Sequence, residues 1–95
     1  MTLELTIPGE LVGARCAQVL LEELLRASGY AAHDIFAIKL AFEESLVNAI
    51  RYGTRMDPDE RLFVVFHTTP ERFESHITDE ASGSTRTVNW PSPAS

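Results

Sequence analysis

The sequence predicts an α+β domain, a two-layer sandwich with a mixed, mostly antiparallel sheet and its helices on one face. Three observations predict it. Two stretches with the apolar period of a helix, Glu10–Ser28 and Asp34–Gly53, follow one another directly. One short alternating stretch, Thr2–Ile7, precedes them. Two strand-like stretches, Arg61–Thr68 and Phe73–Asp79, come after, with a tight turn between them. The order β-α-α-β-β groups helices with helices and strands with strands, which separates it from an alternating parallel fold.

The first strand places Leu3, Leu5 and Ile7 on one face, and Pro8-Gly9 ends it. In the first helix Leu11, Val12, Cys16, Val19, Leu20, Leu24 and Leu25 recur at helical spacing, with Gln18, Glu22, Glu23 and Arg26 as the wet side. Gly29 stops it. The central helix spans Asp34–Gly53, about five turns at 3.6 residues per turn. Asp34 is placed to cap its N-terminus, and Gly53 stands where a left-handed C-cap would go. Its apolar arc is Ile35, Phe36, Ile38, Leu40, Phe42, Leu46, Val47, Ala49 and Ile50, interrupted by Lys39 and Glu43 as a salt-bridged solvent stripe.

Thr54–Glu60 is a polar loop built around Asp57-Pro58. Arg61–Thr68 is apolar at both parities, through Leu62, Phe63, Val64, Val65 and Phe66, and reads as a strand covered on both faces or nearly so. Thr69–Arg72 forms a hairpin turn with Pro70 at its second position. In Phe73–Asp79 the parity of Phe73 and Ile77 marks the core face, so Asp79 points inward at the strand's end and needs a donor. From Glu80 the chain is small and polar, and WPSPAS reads as a tail. The expected domain is residues 1–95, with residues 84–95 as that tail.

Composition bounds the function. The 95 residues make one domain, and 44% hydrophobic content suffices for a core. The net charge of −6, with no basic run, disfavours nucleic acid and anionic membrane and favours a basic patch on a partner protein. A single Cys16 excludes an internal disulfide and fits a reducing cytoplasm, and its apolar neighbours suggest a buried thiol. The N-terminus has neither the basic nor the apolar region of a signal peptide, and no apolar run approaches a membrane span. His33, His67 and His76 are scattered at spacings that make no metal site. No nucleophile elbow and no P-loop is present.

The central helix carries a second polar stripe. Ala37, Ala41, Glu44 and Asn48 fall within about 60° of one another, with Arg51 just beside them. The alanines leave the backbone approachable, while a carboxylate and an amide one turn apart point into the space. A carboxylate can take a proton from water or a hydroxyl, and an amide oxygen is a hard ligand suited to Mg²⁺. An amphipathic helix with an ordinary polar outer face has the same pattern.

Two segments stand out together: Glu43–Gly53, EESLVNAIRYG, and Ile77–Gly83, ITDEASG, at the end of a strand. They resemble the anti-sigma-factor serine-protein kinases of bacteria, in the GHKL superfamily of ATPases and histidine-kinase-like domains. The N-box of that family has a Glu-x-x-x-Asn core followed by Ala-Ile and a His/Tyr-Gly end, matched by Glu44, Asn48 and the residues to Gly53. Its next motif, Asp-x-Gly-x-Gly, is matched by Asp79 and Gly83. The likeness runs from about Thr2 to Pro91.

The resemblance implies the Bergerat, or histidine-kinase-like ATPase, fold. It implies ATP or ADP with Mg²⁺: Asn48 would hold the metal on the phosphates, and Glu44 would be the general base or orient water. Asp79 would accept a bond from the adenine amino group, Gly83 would let the backbone close over the base, and Arg51 would join the nucleotide contacts. Arg15 resembles an arginine that faces a sigma factor. The implied function is a cytoplasmic, homodimeric regulator that sequesters a sigma factor and phosphorylates an antagonist on Ser or Thr. Ala81 departs from the motif's first glycine and Ser84 from a usual bulky apolar residue, and the family's ATP lid, second glycine-rich motif and final strands have no counterpart up to Ser95. A degenerate protein-binding module of the same fold, without catalysis, is therefore the alternative, and an α+β domain with no nucleotide role is a third. Three expectations follow: Glu44, Asn48 and Asp79 share a pocket; hydrolysis is weak or absent; and an open strand edge with an uncovered apolar face makes the chain pair with a second copy.

Overall fold

Leu5, Val64, Ile77 and Arg86 lie side by side across one sheet, in a row that fixes its register. The structure, a computed structural model, describes residues 1–91. Its elements are β1 (Thr2–Pro8), α1 (Leu11–Ala27), α2 (Ala32–Asn48), a π-helical turn (Ala49–Gly53), β2 (Arg61–Thr68), β3 (Phe73–Asp79) and β4 (Thr85–Trp90). The sheet order is β1-β2-β3-β4. Every pair is antiparallel rather than mixed, because β2, β3 and β4 follow one another through hairpin turns and β1 pairs antiparallel with β2. The α+β architecture is as the sequence predicts.

β4 is a correction. Thr85–Trp90 was expected to be tail, yet it is a strand paired with β3 along its length. Its alternation, with Val88 and Trp90 packed against the core, is the signal that its small polar flanks obscure. Of the expected tail, residues 92–95 lie outside the described residues.

The helices cover the inner face of the sheet, and the core lies between the layers. Phe42 of α2 meets Phe66 of β2 edge-on at 5.2 Å, and Phe66 meets Phe73 of β3 at 6.0 Å. All three are buried, each contributing about 1.5–3 kcal/mol through apolar burial. The outer face is not covered. β2 alternates, with Leu62, Val64 and Phe66 buried but Phe63 41% exposed, so the expectation of two covered faces fails. Among the described residues no second layer lies on that side, and the outer neighbours are polar side chains such as Thr6, His76 and Thr78.

The same apolar surplus appears on the helices. The buried face of α1 is Gly13, Ala14, Ala17, Leu21, Leu24 and Leu25, while Leu11, Val12, Val19 and Leu20 are exposed, and so is Cys16, contrary to the buried thiol expected. The small residues decide this, because they let the helix lie close on the sheet. A Cβ on Gly13 would stand 2.6 Å from the Pro8 carbonyl oxygen. In α2, Ile35, Ile38, Phe42 and Leu46 are buried, while Phe36 and Leu40 are exposed. Lys39 and Glu43 do not pair with each other. Lys39 Nζ reaches Glu22 at 2.8 Å and Glu43 accepts a bond from Gln18 at 2.8 Å, so the pair ties α2 to α1.

Two end signals also differ. Ala31, not Asp34, occupies the N-cap of α2, and Asp34 sits in the first turn, where its charge suits the helix dipole. Gly53 does not adopt a left-handed conformation; Arg55 and Met56 do, at φ 57° and 60°. Among the described residues, no helix is long and apolar enough to cross a membrane.

Candidate functional site

The C-terminal half of α2 lies over β4, and the space between them is a cleft of about 480 Å³. Ala41, Glu44, Ser45 and Asn48 line it from the helix, and Arg86, Thr87, Val88 and Asn89 from the strand. Three members of the predicted stripe, Ala41, Glu44 and Asn48, therefore open into one space. Ala37 does not line it, and Ser45 takes its place. Glu44 is exposed at the rim and Asn48 is half-buried.

Asn48 stands at the junction where α2 passes into the π turn. The wider turn sends the Thr54 N–H to the Ala49 carbonyl and the Met56 N–H to that of Ile50. Such turns are rare inside helices and concentrate at functional positions. Thr54 anchors this one: its buried hydroxyl bonds the Ile50 carbonyl at 2.8 Å and reaches the Gly9 carbonyl at 3.2 Å.

Asp79 is buried at the end of β3, on the helix side of the sheet, as its parity predicts. Its Oδ1 accepts the Ser82 N–H at 2.7 Å and its Oδ2 the Ser82 hydroxyl at 2.7 Å. The Ser82 hydroxyl above all, then the Ser82 amide, holds the carboxyl below the usual carboxylate range; burial works against them and the charge of Arg86 adds to them. Asp79 is thus ionised and acts as acceptor only. Gly53 makes room for it, since a Cβ there would stand 2.8 Å from Oδ2. Gly53 serves close approach rather than helix termination. The expectation of one shared pocket fails here: Asp79 is on the same side of the sheet but does not line the cleft of Glu44 and Asn48, because it packs against Gly53 of the π turn beside it.

Gly83 takes φ +71° and its N–H closes the turn onto the Asp79 carbonyl at 2.9 Å, while a Cβ there would meet nothing within 4 Å. Its glycine character serves the turn's backbone angle. Ala81 is exposed in the same turn. Arg51 and Arg15 are exposed, and neither lines the cleft. A larger groove of about 570 Å³ lies between α1 and α2, around Phe36 and Leu40, but holds none of the predicted site residues.

The donor set of the cleft fits a magnesium nucleotide. Glu44 and Asn48 offer hard oxygen donors one turn apart, and Mg²⁺ commonly takes only one or two protein ligands, completing its shell with water and phosphate. Among the described residues no group of three or more His, Cys, Asp and Glu could hold a metal ion. Asp79 fits a base with an amino group, since each of its oxygens retains acceptor capacity beyond the Ser82 bond. Arg86 is the residue that sequence reading missed. Its signal was the alternation Thr85-Arg86-Thr87-Val88-Asn89-Trp90, legible only once this stretch is taken as a strand.

Compared with models of protein families, the chain matches the one described as histidine kinase-like ATPase domain over residues 7–94. No curated protein matches it.

Proposed function

The chain belongs to the histidine kinase-like ATPase domain family, and from that premise we propose that it is an ATP-binding regulator of the anti-sigma type. The observation that carries this reading is the cleft into which Glu44 and Asn48 open together, with an ionised, inward Asp79 on the same side of the sheet. Asn48 holds Mg²⁺ on the phosphates, Glu44 orients water or a hydroxyl at the rim, and Asp79 receives the adenine amino group. The regulator acts in the cytoplasm by sequestering a sigma factor through a surface that includes Arg15, exposed on α1, and by phosphorylating an antagonist protein. It pairs with a second copy, for which the exposed Leu11, Val12, Val19 and Leu20 of α1 supply apolar surface.

Calorimetry with Mg·ADP and Mg·ATP tests the nucleotide part. Heat of binding is expected from the wild type and its loss from Asn48→Ala; an absence of heat in the wild type sinks it. Capture of the source organism's sigma factors, weakened by Arg15→Ala, tests the partner.

One observation favours a second reading, a protein-binding module with weak nucleotide binding and no turnover. β3 runs into β4 through the turn Glu80–Ser84, which leaves no lid between them. Phosphoryl transfer rests on positioning and charge stabilisation, which an open cleft supplies poorly. Steady phosphate release that Glu44→Ala abolishes would refute this reading.

A further inference from the structure

The row Leu5, Val64, Ile77, Arg86 begins with three apolar side chains on the inner face and ends with a guanidinium. Directly opposed residues of an antiparallel pair share a face, so Arg86 lies on the same inner side as the buried Ile77. It is half-buried and lines the cleft opposite Glu44 and Asn48. Among the described residues it forms no ion pair; the arginines that do are Arg26 and Arg61. Its ionised neighbour Asp79 lies near enough for the charge of Arg86 to stabilise it, but its oxygens are bonded by Ser82 and it makes no ion pair with Arg86, and neither does Glu44 at the exposed rim. A half-buried guanidinium on an inner sheet face, with no ion pair of its own, keeps its donors available to an anion that enters the cleft. Asn48 and Ser45 on the facing helix supply polar groups for the rest of such a ligand.

We propose that Arg86 is the phosphate-binding cation of this cleft and holds the polyphosphate of a magnesium nucleotide against Asn48. This rests on the nucleotide-binding reading above and adds a residue to it. The turn Glu80–Ser84 carries a single glycine and no phosphate-cradling loop, so a side chain performs what backbone N–H groups would do elsewhere. A guanidinium suits the task because its planar fork meets two phosphate oxygens at once, which a lysine cannot do.

The test is calorimetry with Mg·ADP, Mg·tripolyphosphate and adenosine on the wild type, Arg86→Gln and Arg86→Lys. Arg72→Gln, in the turn at the far end of β3, is the charge-matched control, and circular dichroism checks folding. Arg86→Gln should weaken both phosphate ligands about tenfold or more, as expected for loss of a charged hydrogen-bond partner. Adenosine should be unaffected, Arg86→Lys intermediate and Arg72→Gln unchanged. If Arg86→Gln does not fold, Arg86→Lys decides by the same comparison. Mg·ADP bound equally by wild type and variant keeps the nucleotide reading and overturns this one. Tripolyphosphate binding that depends on Arg86, without binding of Mg·ADP, keeps Arg86 as the phosphate-binding cation and overturns the nucleotide as its ligand. Neither ligand bound by the wild type, or adenosine weakened as much as ADP, overturns the assignment of Arg86 to phosphate.

Discussion

Replacing Gly53 with alanine should destabilise the domain, and most of the loss should disappear once Asp79 is removed. The added Cβ would stand 2.8 Å from Asp79 Oδ2, 3.0 Å from Cγ and 3.1 Å from Cβ. Asp79 cannot swing away freely, because it is buried and both its oxygens are bonded to Ser82. Overpacking of this kind costs about 1–3 kcal/mol. Against it stands a gain of about 0.4–1 kcal/mol from a stiffer unfolded chain, since Gly53 is not held at positive φ. The net loss is about 1 kcal/mol, a drop in Tm of about 4–8 °C for a domain of this size. Urea unfolding followed by circular dichroism, on Gly53→Ala, Asp79→Ala and the double variant, measures it. The cycle should show a coupling of about 1 kcal/mol. A Gly53→Ala variant as stable as the wild type, with additive behaviour in the double, would refute the close approach of the π turn and Asp79.

The lowered pKa of Asp79 sets a pH dependence. A carboxyl whose folded pKa lies below its unfolded value of about 4 contributes stability that is fully present above that value and is lost as pH falls through the folded one. Stability of Asp79→Asn should therefore fall less steeply than that of the wild type below about pH 4, and parallel curves in acid urea titrations would count against the Ser82 bonds. Light scattering should give a dimer mass that Val19→Glu, on the exposed face of α1, converts to monomer without loss of helix signal. A monomer mass for the wild type at high micromolar protein would remove the pairing.

Some of this protein is written locally. Period 3.6 in Glu10–Ser28 and Asp34–Gly53, and period 2 in Thr2–Ile7 and Phe73–Asp79, determined element types, the α+β class and the inward phase of Asp79, because neighbours along the chain carry those signals. The helical repeat likewise put Glu44 and Asn48 on one stripe, and the cleft is where that stripe opens. Tertiary structure decided what depends on distant partners. α1 has two apolar faces, and closest approach through Gly13, Ala14 and Ala17, rather than bulk at Val12 and Val19, chose the buried one. Lys39 and Glu43 found partners on α1 instead of each other, because the packing of α1 against α2 brings Glu22 and Gln18 within their reach. Gly53 looked like a helix cap but is a contact with Asp79, which lies far along the chain. Arg86 has a local signal only in the alternation of Thr85–Trp90; which residues it faces follows from the register of β4 on β3, and register belongs to the sheet rather than to the strand.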